Sequence, residues 1–239
     1  MLRKIQKKKL IGNKIFWFSK FENLGKFPCI FLANEFFDSL AIKHFRKINN
    51  VWYEKFVNLD NREKPFFFKK KVDLKKIEHK IKFKISHNQN FIEYSQEGLS
   101  YLKEISRIIK KNSGGLLLID YGYNQKKMKN TLKAISNHKF DNILSNIGNI
   151  DITHNINFEL FKKFTKQMGG LKINFTTQRE FLLNMGIKYR AEIISQNLNF
   201  LKKADIHYRL EKLIGKNQMG LVFKVMLIKN INNKFKLGF

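Results

Sequence analysis

"GGLLLIDYGY", Gly114 to Tyr123, is the stretch on which the fold turns. Ahead of it, Ser95 to Lys111 reads as a helix, with Leu99, Leu102, Ile105 and Ile109 on one face and Lys103, Lys110 and Lys111 elsewhere. Gly114-Gly115 reads as the stop of that helix. Four apolar residues then form a strand that ends in Asp120. A helix, a glycine stop, an apolar strand and a terminal acid make an αβ unit. In open α/β sheets the strand carboxyl ends face the ligand.

Working outward, "KIFWF" (14–18) and the strand that follows Pro28 (29–33) are apolar at nearly every position. That pattern suits strands buried on both faces of a parallel sheet. "GLVFKVMLI" (220–228) reads as a strong final strand. The core strands are thus expected near 14–18, 29–33, 116–120 and 220–228. Residues 41–47 and 51–59 read as a hairpin joined by Asn49-Asn50. Strand-like patches at 66–68 and 81–85 extend this into a β insertion over 41–90. Residues 128–216 read as a helical subdomain. It opens with a short helix at 128–138 and an amphipathic one at 158–168, ended by Gly169-Gly170. After a strand at 171–176, Thr177 caps a helix with Glu180 in its first turn, and 187–216 is helical by pattern. No internal repeat is present.

The 239 residues suffice for one large domain or two small ones, and 43% hydrophobic content with 24 Phe excludes disorder. The single cysteine, Cys29, excludes an intrachain disulfide and suits a reducing compartment. No apolar run reaches membrane-spanning length. The basic N-terminus has no apolar segment of the secretory type. The net charge of +28 points towards anionic partners. Yet the basic residues are spread along the chain, and Lys, Asn, Ile and Phe are inflated together, so a solvated lysine surface is favoured over a nucleic-acid face.

"CIFLANEFFDSL", Cys29 to Leu40, places Glu35 and Asp38 just past a strand end, between aromatics. Asn34 can cap a helix there, with Glu35 favoured by the dipole. The same carboxylates can form charge-assisted bonds to a guanidinium, and the two readings are compatible. Asp120 sits similarly, as a pocket acid or as a loop-forming residue before Tyr121-Gly122. The six histidines and one cysteine give no zinc spacing, so no metal is expected. No serine lies in a G-x-S-x-G elbow. None of the 13 glycines forms G-x-G, so no cofactor-binding residue is visible in this chain.

In order along the chain, "ANEFFDSL", "GGLLLIDYGY", "NTLKAISNHKFDNIL", "DITHNINF", "TQREFLLNMGI" and "MGLVFKVMLI" resemble successive landmarks of the MidA-like methyltransferases. These are relatives of the mitochondrial arginine methyltransferase that assists respiratory complex I assembly. The resemblance implies an incomplete class I, Rossmann-like α/β core with an inserted or appended α+β subdomain, and S-adenosylmethionine as cofactor. "LRKIQKKKL" (2–10) resembles the family's helix just after the second core strand. The glycine loop and first strands are then expected N-terminal to the matched region. On this reading residues 1–239 are one truncated methyltransferase domain, inactive alone and marginal in stability.

Within the resemblance, Glu35 is assigned as guanidinium ligand and Asp38 as its support. Asn34, Phe37, Asp120, Tyr121, Asp151 and Thr153 would line the substrate pocket. Two departures stand out: Asn155 and Asn157 replace an expected His and Asp, and Leu221-Val222 replace a Glu-Arg pair. The expected function is protein arginine methylation of a respiratory-complex-type subunit. A separate N-terminal piece or a second copy would be the partner, in the bacterial cytoplasm or, for a eukaryotic chain, the mitochondrial matrix. The alternatives are a non-catalytic assembly module and, third, a basic nucleic-acid-binding protein.

Overall fold

The computed structural model describes residues 2–21, 24–136 and 139–239. Helix α1 (Leu2–Lys9) carries Lys7, Lys8 and Lys9 in its last turn, where the helix dipole favours cations. After it come β1 (Cys29–Asn34), a 3-10 turn (Phe37–Ser39), β2 (Lys43–Ile48), β3 (Val51–Leu59) and β4 (Pro65–Lys71). Next are α2 (Leu74–Ile81), β5 (Phe91–Tyr94), α3 (Gln96–Asn112) and β6 (Gly114–Tyr123). The short strands β7 (Lys133–Ser136), β8 (Lys139–Asp141), β9 (Asp151–Thr153) and β10 (Ile156–Asn157) lead to α4 (Phe158–Gln167) and β11 (Leu171–Thr177). Helices α5 (Gln178–Asn184), α6 (Ile187–Ser195), α7 (Phe200–Ile214) and α8 (Met219–Val222) precede β12 (Phe223–Asn230).

The principal sheet has the order β1-β6-β12-β11, with β10 also pairing β6. β1 and β10 run parallel to β6, whereas β12 is antiparallel to both β6 and β11. One face of this sheet is covered by α3 and α4. Leu99, Leu102 and Ile109 join Leu116, Leu118, Met226, Ile228, Phe158, Phe161 and Phe164 in one buried cluster. A second sheet has the order β4-β3-β2-β5, and a third, small one β8-β7-β9.

Local chemistry sets most of these boundaries. The Ser95 side chain accepts from Gly98 N and starts α3. The α3 stop lies at Ser113, held at φ 68, and not at the glycines. Gly114 begins β6 at φ +98, where an added Cβ would stand 2.0 Å from Cys29 O. Only glycine allows β1 and β6 to meet there. Thr177 and Glu180 form the full capping box of α5.

Several expectations are corrected. Residues 14–18 are not a strand: none of the described residues pairs with them, and Phe16 is 65% exposed. Trp17 instead donates to Gln6 Oε1 at 2.8 Å, tying this segment back to α1. β1 is covered on one face only, since Ile30 is 89% and Leu32 69% exposed. Residues 81–85 are the end of α2 and the left-handed cap at Lys82, because Glu78 accepts from Ile85 N and Ser86 N and ties the exit back to the helix. The short helix at 128–138 is absent; 133–136 pair with β8 and β9 as β7, while Asn137 and His138 lie outside the described residues. The described residues of 128–157 are therefore strands and loops, and only the part from 158 on is largely helical. Finally, 219–222 form a helical turn before β12 starts at Phe223.

Candidate active site

β1 and β6 run parallel in the register Cys29↔Gly114 to Asn34↔Ile119. Their carboxyl ends therefore sit side by side, and Glu35 N donates to Ile119 O at 3.0 Å. Beyond β1 the chain turns in. Phe37 is buried and packs edge-on against Phe36 and Phe161. This anchor drives the next residue, Asp38, inward to 7% exposure.

Four residues singled out in the sequence meet here. Tyr121 OH donates to Asp38 Oδ2, and Thr153 Oγ1 donates to the same oxygen at 2.9 Å. The Tyr121 and Thr153 hydroxyls also touch each other. Asp38 N donates to Asp120 Oδ2 at 3.3 Å, and Tyr121 N to Asp120 Oδ1 at 2.9 Å. Asp38 Oδ1 is buried with no partner among the described residues. A buried carboxylate oxygen with an open acceptor position suits an incoming N–H donor, and a cationic one most of all.

Electrostatics distinguish the two acids. Burial, and after it the Asp38 carboxylate, push Asp120 up to about 8, against the pull of the backbone N–H groups of Asp38, Tyr121 and Phe37. At neutral pH Asp120 holds a proton. Burial and the Asp38 carboxylate likewise keep the Tyr121 phenol well above its ordinary range, so it stays a donor.

The other expected residues lie at the rim. Asn34 and Glu35 are exposed at the end of β1, with Glu35 in the left-handed region at φ 46. Asp151 is exposed at the start of β9. Of the two departures, Asn157 has a structural role through its side chain, whereas residue 155 is held through its backbone alone and its Oδ1 finds no partner among the described residues. Asn157 caps α4 by accepting from Leu160 N at 3.2 Å, and Asn155 N donates to Thr131 Oγ1 at 2.8 Å.

Sequence reasoning missed a buried polar chain behind the site. His44 Nε2 lies 2.7 Å from Glu93 Oε2, and Glu93 also accepts from Thr131 N at 2.9 Å and from the Thr131 hydroxyl. Burial alone would raise the Glu93 carboxyl, but the bonds from His44 and Thr131 bring it below its ordinary value. Thr131 in turn holds the 155 segment, and His154 N donates to Asp38 O at 3.4 Å. Burial lowers the His154 imidazole from its ordinary value. The only signal for His44 and Glu93 is their direct pairing across β2 and β5, which no local spacing reveals.

A mixed α/β sheet with acids gathered at the carboxyl ends of its parallel strands is the architecture of a Rossmann-like fold. The chain belongs to the family described as "Putative S-adenosyl-L-methionine-dependent methyltransferase", whose match spans residues 1–177. It is 26% identical over 233 residues to "Protein arginine methyltransferase NDUFAF7, mitochondrial" of Danio rerio, covering 92% of this chain and 51% of that protein. The Caenorhabditis elegans homologue of that protein is 28% identical over 216 residues, covering 89% and 50%. Two crystal structures from Burkholderia thailandensis share the fold. One has TM-score 0.81 and 19% identity, covering 99% of this chain and 65% of its own. The other, bound to S-adenosyl-homocysteine, has TM-score 0.78 and 20% identity, covering 100% and 64%. The chain spans about half the length of the curated relatives it matches.

S-adenosylmethionine is the cofactor of this family. The described residues do not themselves build a glycine cradle for it. The glycine nearest the strand ends, Gly122, has the space of its missing Cβ taken by Ile156 O, 2.2 Å from where that atom would lie. What these residues assemble is a buried pair of acids, Asp38 and Asp120, bridged by hydrogen bonds at the joined ends of β1 and β6. No helix among the described residues is long and apolar enough to cross a membrane.

Proposed function

We propose that this chain forms the acceptor side of an S-adenosylmethionine-dependent protein methyltransferase acting on arginine, with a respiratory-complex-type subunit as its substrate. The observation that carries the reading is the buried, unpartnered Asp38 Oδ1 at the joined ends of β1 and β6. The name of the zebrafish relative supports the choice of arginine.

In this reading a guanidinium N–H donates to Asp38 Oδ1, while Tyr121 and Thr153 hold Oδ2 and fix the carboxylate plane. Glu35, at the rim, takes a second guanidinium nitrogen as it enters. Anchoring positive charge on two nitrogens leaves the third with more lone-pair density for attack on a methyl group. Asn34, Phe37 and Asp151 complete the wall, with Asp120 beneath it. The free edge of β1 and its exposed Ile30 and Leu32 suit one more strand, from the same polypeptide, a separate N-terminal piece or a second copy.

The test has two arms. In the first, an arginine-containing peptide is titrated into the chain and followed by NMR. Saturable shifts at Asp38, Tyr121 and Thr153 are expected, lost in Asp38→Asn and weakened in Glu35→Gln. In the second, transfer of labelled methyl to protein arginine is measured with the glycine-loop part of the fold supplied. Full transfer by Asp38→Asn would sink the assignment.

A further inference from the structure

One face of the second sheet collects cations. Arg46 pairs with Tyr53 across β2 and β3, and Lys55 pairs with Lys69 across β3 and β4. Directly paired residues share a face, as do residues two apart on one strand. Arg46, Tyr53, Lys55 and Lys69 therefore face the same way, as does Phe91, the partner of Arg46 on β5. They line a pocket of about 160 Å³ that Asn130 and His44 complete.

No acid lines this pocket. Among the described residues Arg46, Lys55 and Lys69 form no ion pair with a carboxylate. Glu93 shares the face, but its oxygens are occupied by His44 and Thr131. Glu54 precedes Lys55, points to the opposite face and is held by Lys43 at 2.5 Å. Like charges placed directly opposite, as Lys55 and Lys69 are, oppose strand pairing. Burial, and then Arg46 and Lys69, lower the Lys55 ammonium from its ordinary value. Its Nζ sits 3.5 Å over the Phe67 ring, so aromatic packing fixes it near the other two cations. This differs from the scattered lysines elsewhere: three cations converge on one concavity with donors from Tyr53 and Asn130 at its rim.

The geometry points to an anion site between β2, β3 and β4 that takes a phosphate-type oxyanion on Arg46, Lys55 and Lys69. Arg46 offers the fork that pairs two oxygens, the lysines supply point charge, and Tyr53 and Asn130 can add neutral donors. The same chemistry is presented by free phosphate and by a phospholipid headgroup.

The experiment titrates sodium phosphate into the chain at constant ionic strength set with sodium chloride, reading amide shifts and melting temperature. Saturable shifts at Tyr53, Lys55 and Lys69 and a raised melting temperature are expected. Lys55→Met, which keeps the stem over Phe67, weakens binding about tenfold and melts no lower than the parent without phosphate. Lys69→Gln, at an exposed position, gives the same loss should Lys55→Met misfold. A parallel arm uses phosphatidylcholine vesicles with and without phosphatidylglycerol. Lys55-dependent vesicle binding that phosphate displaces assigns the headgroup as the source, and phosphate binding without vesicle binding assigns the soluble ion. Shifts that never saturate, or a loss in Lys139→Gln equal to that in Lys55→Met, would overturn the site.

Discussion

Replacing Asp120 by Asn should change how stability depends on pH more than it changes stability itself. Unfolded, Asp120 ionises near 3.8; folded, at about 8. Between those values the folded chain keeps a proton that the unfolded chain has released. Stability therefore falls as pH rises, by about 1.36 kcal/mol per pH unit while that difference persists. From about pH 5 to about pH 8 the loss from this one group comes to about 4 kcal/mol. Below the unfolded value both states are protonated and the contribution is complete; above the folded value the loss is complete. Asparagine cannot ionise, so the variant lacks this slope. It gives up one of the two acceptors that serve Asp38 N and Tyr121 N, a pH-independent cost of about 1–3 kcal/mol. Urea unfolding of both proteins at several pH values measures the difference, in which titrating groups remote from Asp120 cancel. The variant should be the less stable protein near pH 5 and gain on the parent towards pH 8. Curves that stay parallel within about 1 kcal/mol over that range would refute the raised Asp120.

Gly122→Ala places a methyl 2.2 Å from Ile156 O and should cost about 1–3 kcal/mol or more. The accompanying loss of hydrogen-exchange protection should centre on β10. Thr177→Ala removes the α5 capping box, and a drop of about 1 kcal/mol in denaturant unfolding is expected, with Thr177→Ser close to the parent. Ile30→Lys with Leu32→Lys alters only the open face of β1. Stability should move by no more than about 0.5 kcal/mol per site, while light scattering shows less self-association.

What was legible in the sequence follows from how local the causes are. Ser95, Thr177 and Glu180 announce helix starts within a single turn, and α3 and α5 appear where their caps place them. The apolar runs of β6 and β12 are buried by their own neighbours and read as strands without further help. "KIFWF" is as apolar, yet no strand among the described residues pairs with it, and a strand exists only through its pairing. Residues 133–136 lack a long apolar run and become a strand through β8 and β9, where the sequence reads a short helix within a helical subdomain. At the site, Asp38 and Asp120 stood out as acids beside apolar strands. That Asp38 is buried and Glu35 exposed depends on the Phe37 anchor against Phe161, more than a hundred residues away. Glu93 and His44 were invisible for the same reason, since a β2–β5 pairing joins them.

The placement of β12 between β6 and β11 bears on how the molecule is made. Ile228 pairs with Leu116, and during synthesis the apolar stretch of β6 emerges long before that partner. Until residues 223–230 arrive, one edge of β6 has its backbone groups unmatched, although α3 and α4 can already cover Leu116 and Leu118. The pairing of β6 with β12 is thus a contact of high sequence separation, of the kind that slows folding. A chain ending before residue 223 would present that unpaired edge of β6 as a template for a strand of another copy.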